Sequence, residues 1–124
     1  MIDHISLVVR DYETSKKFFV EALGPLGYSV LREFDTPDGK VAGLGADNKP
    51  DFWIAAGPTG RATHIAFAAK NRPAVAAFHS AATKAGGRDN GAPGIRAQYH
   101  PNYYGAFVHD PDGTNIEAVC HLPE

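Results

Sequence analysis

The chain has 124 residues, a length typical of one domain and sufficient to bury a core without a metal or a disulfide. With 44% hydrophobic and 21% charged residues, its composition excludes a disordered chain. Twelve basic against fourteen acidic residues give a formal charge of −2, and no basic stripe indicates nucleic acid as a partner. The lone cysteine suits a reducing compartment. Because neither a signal-peptide pattern nor an apolar run of roughly 20 residues is present, we expect one cytoplasmic domain over residues 1–124, with no membrane partner.

An internal repeat organises this domain. Residues 3–11 read DHISLVVRD and residues 63–71 read THIAFAAKN, so His and Ile recur at an offset close to half the chain length. Both segments alternate with a period of two, as half-buried strands do, and each ends in a residue that caps helices, Asp11 or Asn71. The repeat predicts two equivalent modules. They cover about 1–58 and about 61–122.

The same elements follow in the same order in both modules. A first strand leads into a helix, which ends at Gly24-Pro25 in the first module and at Gly86-Gly87 in the second. Further strands are predicted near 28–35, 40–46 and 51–57, and near 103–109 and 114–121, with a turn at Pro111-Asp112-Gly113. Residues 86–101 are rich in glycine and proline and are predicted to be mostly loop, either a binding lid or a surface connection. The predicted fold class is α+β, built from two β-α-β-β-β modules.

Polar residues on the predicted strands form the candidate site. His4 and His64 lie at matching positions on the side of the strand away from the apolar residues. In the last strand, Glu117 points away from the side that carries Ile116 and Ala118. Two histidines and a carboxylate are the ligand set of a mononuclear metal site with open coordination positions. Ordinary polar strand residues remain the alternative, although a buried glutamate is costly unless it is paired or bound to a metal.

The doubled module, the His-Ile start of both halves and the DPDGTNIE run over 110–117 resemble the vicinal oxygen chelate superfamily. That superfamily includes glyoxalase I, bleomycin resistance proteins and extradiol dioxygenases, and the resemblance covers essentially the whole chain. It implies a curled eight-stranded mixed sheet around a metal cleft, with the helices outside. It also implies a homodimer, with the cleft built either within one chain or across two. The implied ligands of one divalent ion (Fe, Mn, Ni, Co or Zn) are His4, His64 and Glu117, the last also moving a proton.

The fourth ligand place of the family falls on Trp53 or a neighbour. Since tryptophan neither binds a metal nor acts as a base, the resemblance does not imply authentic glyoxalase I activity. It implies a divalent metal that acts as a Lewis acid on a small substrate with vicinal oxygens, in lyase or isomerase chemistry. An Fe(II) extradiol dioxygenase and a non-catalytic small-molecule or antibiotic binder are the alternatives. Binders of this type typically lack the ligands, so three retained ligands favour an enzyme.

Further residues are expected around the cleft. His100 is a candidate acid or base. Substrate contacts are expected from Phe52, Trp53, Arg96, Tyr99 and Tyr103, because an arginine pairs with anions and a tyrosine hydroxyl donates to an oxyanion. His121 lies four residues beyond Glu117, about 13 Å along a strand, and is expected at the rim. Cys120 is expected in the core.

Overall fold

The computed structural model describes residues 3–58 and 64–124, which form two helices and eight strands. The first module contains β1 (Ile5–Val9), α1 (Tyr12–Leu23), β2 (Ser29–Thr36), β3 (Gly39–Ala46) and β4 (Lys49–Ala56), with a short 3-10 turn (Gly24–Leu26) after α1. The second contains β5 (His64–Ala68), α2 (Arg72–Lys84), β6 (Arg88–Ile95), β7 (Tyr104–His109) and β8 (Asn115–Cys120). Each module is therefore β-α-β-β-β, which confirms the α+β prediction.

Each module forms its own four-stranded mixed sheet. The strand order is β1-β4-β3-β2 in the first, called sheet A, and β5-β8-β7-β6 in the second, called sheet B. In both sheets the first and last strands of the module are parallel neighbours, and the other pairs are antiparallel. The eight strands that the resemblance implies are thus present as two sheets, and these do not close into a barrel.

Both helices begin at the residues that the repeat marks as caps. The Asp11 side chain accepts the backbone N–H of Thr14, and the Asn71 side chain accepts that of Ala74. Each bond satisfies one of the amide groups left without a partner in the first turn of a helix. The sequence prediction of both helix starts is confirmed.

The glycine-rich segment is more ordered than the sequence indicates. Residues 88–95 form β6, an edge strand paired with β7, whereas residues 86–101 were expected to be mostly loop. The ladder shifts register between Asp89 and Gly91 and again between Gly91 and Gly94. Bulges of this kind absorb glycines while antiparallel pairing continues on either side, so the prediction of a loop was wrong over 88–95.

The two modules share one hydrophobic core. The helices α1 and α2 pack against each other, and each covers one face of the sheet in its own module. Phe52 on β4 lies at the centre, with its ring centroid 4.9 Å from that of Phe19 and 5.2 Å from that of Phe67 on β5. Tyr28 also packs edge-on against Phe67. Because these rings come from both modules, the core is continuous across the repeat.

The strand β1 runs opposite to β5 where the modules meet. The start of β1 lies across a cavity of about 280 Å³ from β5, since His4 and Ile65–Ala68 line the same cavity. The end of β1 lies beside the turn before β8, because the Arg10 backbone N–H donates to the Asp112 carboxylate over 2.9 Å. The end of β1 thus lies near the start of β8 and of its parallel neighbour β5, and His4 does not join His64 and Glu117 in one group within the described residues.

The second face of each sheet is free of helices and is called its open face. On β1 and β5 it carries the exposed residues His4, Ser6, Val8, His64, Ala66 and Ala68, while Ile65 and Phe67 point into the core. Both histidines thus lie on the side that the alternation predicts, His64 on β5 and His4 one residue before β1. Neither helix of the described residues is long and apolar enough to cross a membrane.

Candidate functional site

The parallel pairing of β5 with β8 brings His64 and Glu117 together. Asn115 lies opposite His64 and Glu117 lies opposite Ala66, so the glutamate emerges on the open face one step along from the histidine. The His64 Nε2 atom lies 3.0 Å from Oε1 of Glu117. Glu117 is 1% exposed, whereas the His64 side chain is 47% exposed. The result is a buried carboxylate below an accessible imidazole.

A backbone carbonyl fixes which imidazole nitrogen carries the proton. His64 Nδ1 lies 3.1 Å from the carbonyl oxygen of Asn115, and this oxygen only accepts hydrogen bonds. Nδ1 must therefore be the donor in that bond, and Nε2 is the nitrogen that faces Glu117. A backbone partner on the far nitrogen is the arrangement that orients a metal-binding histidine.

Tyr103 completes the surroundings of the carboxylate. Its hydroxyl donates a short hydrogen bond to Oε2 of Glu117. Burial, together with this bond, raises the pKa of Tyr103 well above its ordinary value. Gly105 lies beneath the contact, and a Cβ at that position would come within 3.1 Å of the same oxygen. The missing side chain at Gly105 therefore leaves room for the carboxylate between the tyrosine and the histidine.

The His64–Glu117 pair fits two of the ligand positions of a divalent metal ion. Two ligand atoms about 2.1 Å from an ion and at right angles to one another lie about 3.0 Å apart, the distance observed between Nε2 and Oε1. Nitrogen and carboxylate oxygen also suit the ions Fe, Mn, Co, Ni and Zn. Among residues 3–58 and 64–124, however, no group of three His, Cys, Asp or Glu side chains could hold an ion. One chain thus brings two candidate ligands together, and the three-residue set stays a prediction.

His100 and His121 form a second pair at the edge of sheet B. The backbone N–H of Asn102 donates to Nδ1 of His100, so the proton of this ring is on Nε2, which donates to Nδ1 of His121 over 2.7 Å. Both rings pack edge-on against Tyr103, with centroid distances of 5.5 and 5.3 Å. His121 is exposed, consistent with the expected rim position, and His100 reaches Glu117 only through Tyr103.

Arg96 and Tyr99 lie on the connection before β7. The Arg96 guanidinium donates to the carbonyl oxygens of Ala92 and Gly94 and lies over the Phe107 ring. Phe107 in turn stacks on His64, with ring centroids 6.1 Å apart. Arg96 is therefore hydrogen-bonded to the neighbouring strand β6. It contacts the site through Phe107, on which its guanidinium packs. Tyr99 is exposed and packs against Tyr103.

The positions of sheet A that are equivalent to the His64–Glu117 site of sheet B carry residues of different types. Ser6 pairs with Trp53 as Ala66 pairs with Glu117, so Trp53 occupies the place that Glu117 holds in sheet B. The assignment of the fourth ligand place of the family to Trp53 or a neighbour stays a prediction. The adjacent Phe52 is 1% exposed and faces the core, where it forms part of the floor of the cavity near His4. His4 itself is exposed and hydrogen-bonds to Asp3.

Several residues of the site were not found by sequence reasoning. The Asn115 carbonyl, Phe107 and Gly105 all surround the His64–Glu117 pair, and Gly43 and Phe34 surround Trp53. Their roles depend on cross-strand register, which alternation within one strand does not reveal. Gly43 and Gly105, which lie inside the predicted strands 40–46 and 103–109, were an available signal, because glycine within a strand marks a close approach.

Two β-α-β-β-β modules with a His–Glu pair on an open sheet face define a glyoxalase-type protein. The family model of the Glyoxalase/Bleomycin resistance protein/Dioxygenase superfamily matches residues 1–118, and the chain belongs to this superfamily. Comparison with curated proteins finds no matching sequence.

Solved structures show the same fold. A glyoxalase/bleomycin resistance protein from Albidiferax ferrireducens is 27% identical, with a TM-score of 0.78 over 97% of this chain and 98% of that one. Glyoxalase I from Zea mays is 27% identical, with a TM-score of 0.72 over 96% of this chain and 45% of that one, so this chain spans less than half of the maize enzyme. TnmS3, an antibiotic binding protein from a Streptomyces species, shares the fold at 20% identity and a TM-score of 0.71, over 98% of this chain and 96% of that one.

Proposed function

We propose that the protein is a metal-dependent enzyme of lyase or isomerase type that acts on a small substrate with vicinal oxygens. The observation that carries the proposal is the His64–Glu117 pair, a buried carboxylate 3.0 Å from the Nε2 atom of an imidazole. A divalent ion bound there would supply Lewis acidity to the oxygens of the substrate. The similarity to maize glyoxalase I, at 27% identity, supports this class of chemistry.

The third ligand in this proposal is His4 of a second copy of the chain. Within one chain, β1 runs opposite to β5, and His4 does not join His64 and Glu117 in one group among the described residues. In a twofold dimer, the open face of sheet A from one copy faces the open face of sheet B from the other across a cleft. Because a twofold interface is isologous, it forms two equal sites, each with His4 from one copy and the His–Glu pair from the other.

Residues of the chain itself would position Glu117 and His64 and would move the substrate proton. Tyr103 holds Oε2 of Glu117 and keeps this oxygen turned toward the phenol, so Oε1 stays toward His64. The Asn115 carbonyl holds the His64 ring with Nε2 facing Glu117. Glu117 is the residue that takes up a substrate proton, and Tyr103 is the neighbouring donor to a developing oxyanion. His100 packs on Tyr103 and stays a candidate acid or base, and its ring nitrogens are bonded to Asn102 and His121.

A mixed-dimer experiment tests the shared site. His4→Ala chains keep the His–Glu pair, and Glu117→Gln chains keep His4, so neither homodimer contains a complete site. Random mixing after unfolding and refolding gives half heterodimers, each with one native site, so Co²⁺ capacity should recover to about one quarter of the wild-type value. Equilibrium dialysis against Co²⁺ measures this capacity, and light scattering measures the mass. No recovery, or a monomer of 13.3 kDa, would contradict the shared site.

Two other functions stay open for the same chain. An Fe(II) dioxygenase would use the same two-histidine and one-carboxylate set, and oxygen consumption with catechols separates it from lyase chemistry. A non-catalytic small-molecule binder is favoured by a specific observation, the exposed Phe34 next to the half-buried Trp53 on the open face of sheet A. Ligand binding without turnover, in protein loaded with metal, would favour the binder.

A further inference from the structure

The open face of sheet A has a row of residues that differs from its counterpart in sheet B. Across the strands β2, β3, β4 and β1, the register places Arg32 opposite Gly43, Gly43 opposite Trp53 and Trp53 opposite Ser6. Residues directly opposite one another in a sheet point to the same side. Glu33, between Arg32 and Phe34, points to the helix side, where it pairs with Lys16. Arg32 therefore points to the open face.

Trp53 lies flat because its neighbour in the row is glycine. A Cβ at Gly43 would come within 2.7 Å of the indole ring, so the ring covers the space that a side chain would fill. Phe34 is 50% exposed and its ring centroid lies 6.1 Å from that of Trp53. A hollow of about 420 Å³ is lined by these two rings together with Asp3, His4, Ser6 and Pro50, and Arg32 lies outside this lining. This volume lies in the range of small-molecule pockets.

Arg32 is the cation of this face whose charge is not neutralised. Among residues 3–58 and 64–124, its guanidinium makes neither an ion pair nor a hydrogen bond. The carboxylates nearby are engaged, because Asp51 accepts the Tyr28 hydroxyl and Asp3 is bound by His4 and Lys49. Two strand spacings separate Arg32 from Trp53, about 10 Å between backbones, and the arginine side chain bridges most of this distance.

We propose that this face, formed by Arg32, Phe34 and Trp53, binds a planar aromatic ligand that carries an anionic group. The ring system stacks on the indole, and the anion pairs with the guanidinium, which forms strong bonds to carboxylates. The open face of sheet A is one wall of the cleft between two copies of the chain. The proposal specifies which class of ligand this wall binds, and in that respect it rests on the proposed function. Binding to the wall itself requires neither the metal nor Glu117.

The single tryptophan provides a direct test. In the ¹⁵N-labelled full chain, the indole N–H of Trp53 gives one resonance, which is followed during titration with 2-naphthoate. Neutral 2-naphthalenemethanol and saturated cyclohexanecarboxylate serve as ligand controls. We expect 2-naphthoate to bind about tenfold more tightly than either, because each control lacks one of the two interactions.

Variants that each remove one positive charge test which residue binds the anionic group of the ligand. Arg32→Gln should reduce the affinity for 2-naphthoate to that of the neutral alcohol. Lys17→Gln removes the same charge from the exposed side of α1 and should keep the tenfold preference. A preference that survives Arg32→Gln would overturn the proposal. Equal binding of cyclohexanecarboxylate, or an indole resonance that no ligand moves, would overturn it as well.

The metal is varied separately, so that the experiment can refute the metal-dependent function without refuting the aromatic ligand, and the reverse. With EDTA present, and in Glu117→Gln, 2-naphthoate should shift the indole resonance as in the wild type. If this holds while the mixed dimer binds no Co²⁺, the aromatic face is supported and the metal-dependent function is refuted. If 2-naphthoate shifted the indole resonance only when metal is bound, the proposal that this face binds its ligand without metal would be overturned.

Discussion

Replacement of Glu117 by glutamine should have opposite effects on the metal-free and the metal-loaded protein. Without metal, the new amide N–H can donate to Nε2 of His64, and the amide oxygen can accept from Tyr103, so every buried polar atom keeps a partner. The substitution also removes a buried charge, whose desolvation opposes folding. The metal-free variant should therefore be at least as stable as the wild type.

In the presence of metal, Glu117→Gln should be less stable than the wild type. At a metal concentration 100-fold above the dissociation constant, the wild type gains about 2.7 kcal/mol. For a domain of this size, 1 kcal/mol shifts Tm by about 3–5 °C, so the expected increase is about 8–13 °C. If loss of the charged ligand weakens binding by about 100-fold, the same concentration stabilises the variant by about 0.4 kcal/mol, or about 1–2 °C.

Thermal unfolding with and without Co²⁺ measures both effects. Glu21→Gln is the matched control, because Glu21 is an exposed carboxylate on α1 and should keep the full metal-induced shift. Equal Co²⁺ shifts in the wild type and in Glu117→Gln would refute the assignment of Glu117 as a ligand. A metal-free variant much less stable than the wild type would refute the exchange of hydrogen-bond partners.

Three further predictions concern the fold around the site. Phe52→Ala should lower the free energy of unfolding by about 3–5 kcal/mol while urea unfolding stays a single transition, because its ring belongs to the core that both modules share; two transitions would contradict this. Gly43→Ala should cost about 1–3 kcal/mol in urea unfolding and move the Trp53 indole resonance, since the new methyl group meets the ring; an unmoved resonance would show that the ring does not lie there. Burial and the bond to Asp51 raise the pKa of Tyr28, so stability should fall as the pH rises above about 10, and Tyr28→Phe should reduce this loss in urea unfolding at stepped pH; an unchanged loss would assign it to other groups.

Features within single elements could be predicted from the sequence. The caps Asp11 and Asn71 and the alternation of β1 and β5 depend on neighbouring residues, and the structure confirms them. The position of Trp53 opposite Ser6 was not predicted, but it matches that of Glu117 opposite Ala66, as equivalent positions in two copies of one module do.

Features that depend on contacts between distant segments could not be predicted. The opposite directions of β1 and β5 separate His4 from His64 within one chain, and the repeat alone leaves that direction open. The His100–His121 hydrogen bond joins residues 21 positions apart, on a connection and at a strand end. The strand β6 was missed because its glycines and proline weaken every local signal, whereas pairing with β7 determines its conformation.

The glutamate of sheet B and the tryptophan of sheet A stand at one and the same position of a duplicated unit. A duplicated gene segment can keep one copy for reactivity and let the other vary for selectivity. Substitutions around Trp53 lie on a different sheet from Tyr103 and His64, so a library confined to β2 and β3 would alter which molecules are accepted without touching the ionisable pair. On the two proposals above, β2 and β3 of sheet A are therefore the place to alter ligand selectivity, whereas the pair in sheet B and His4 are the residues to keep for reactivity.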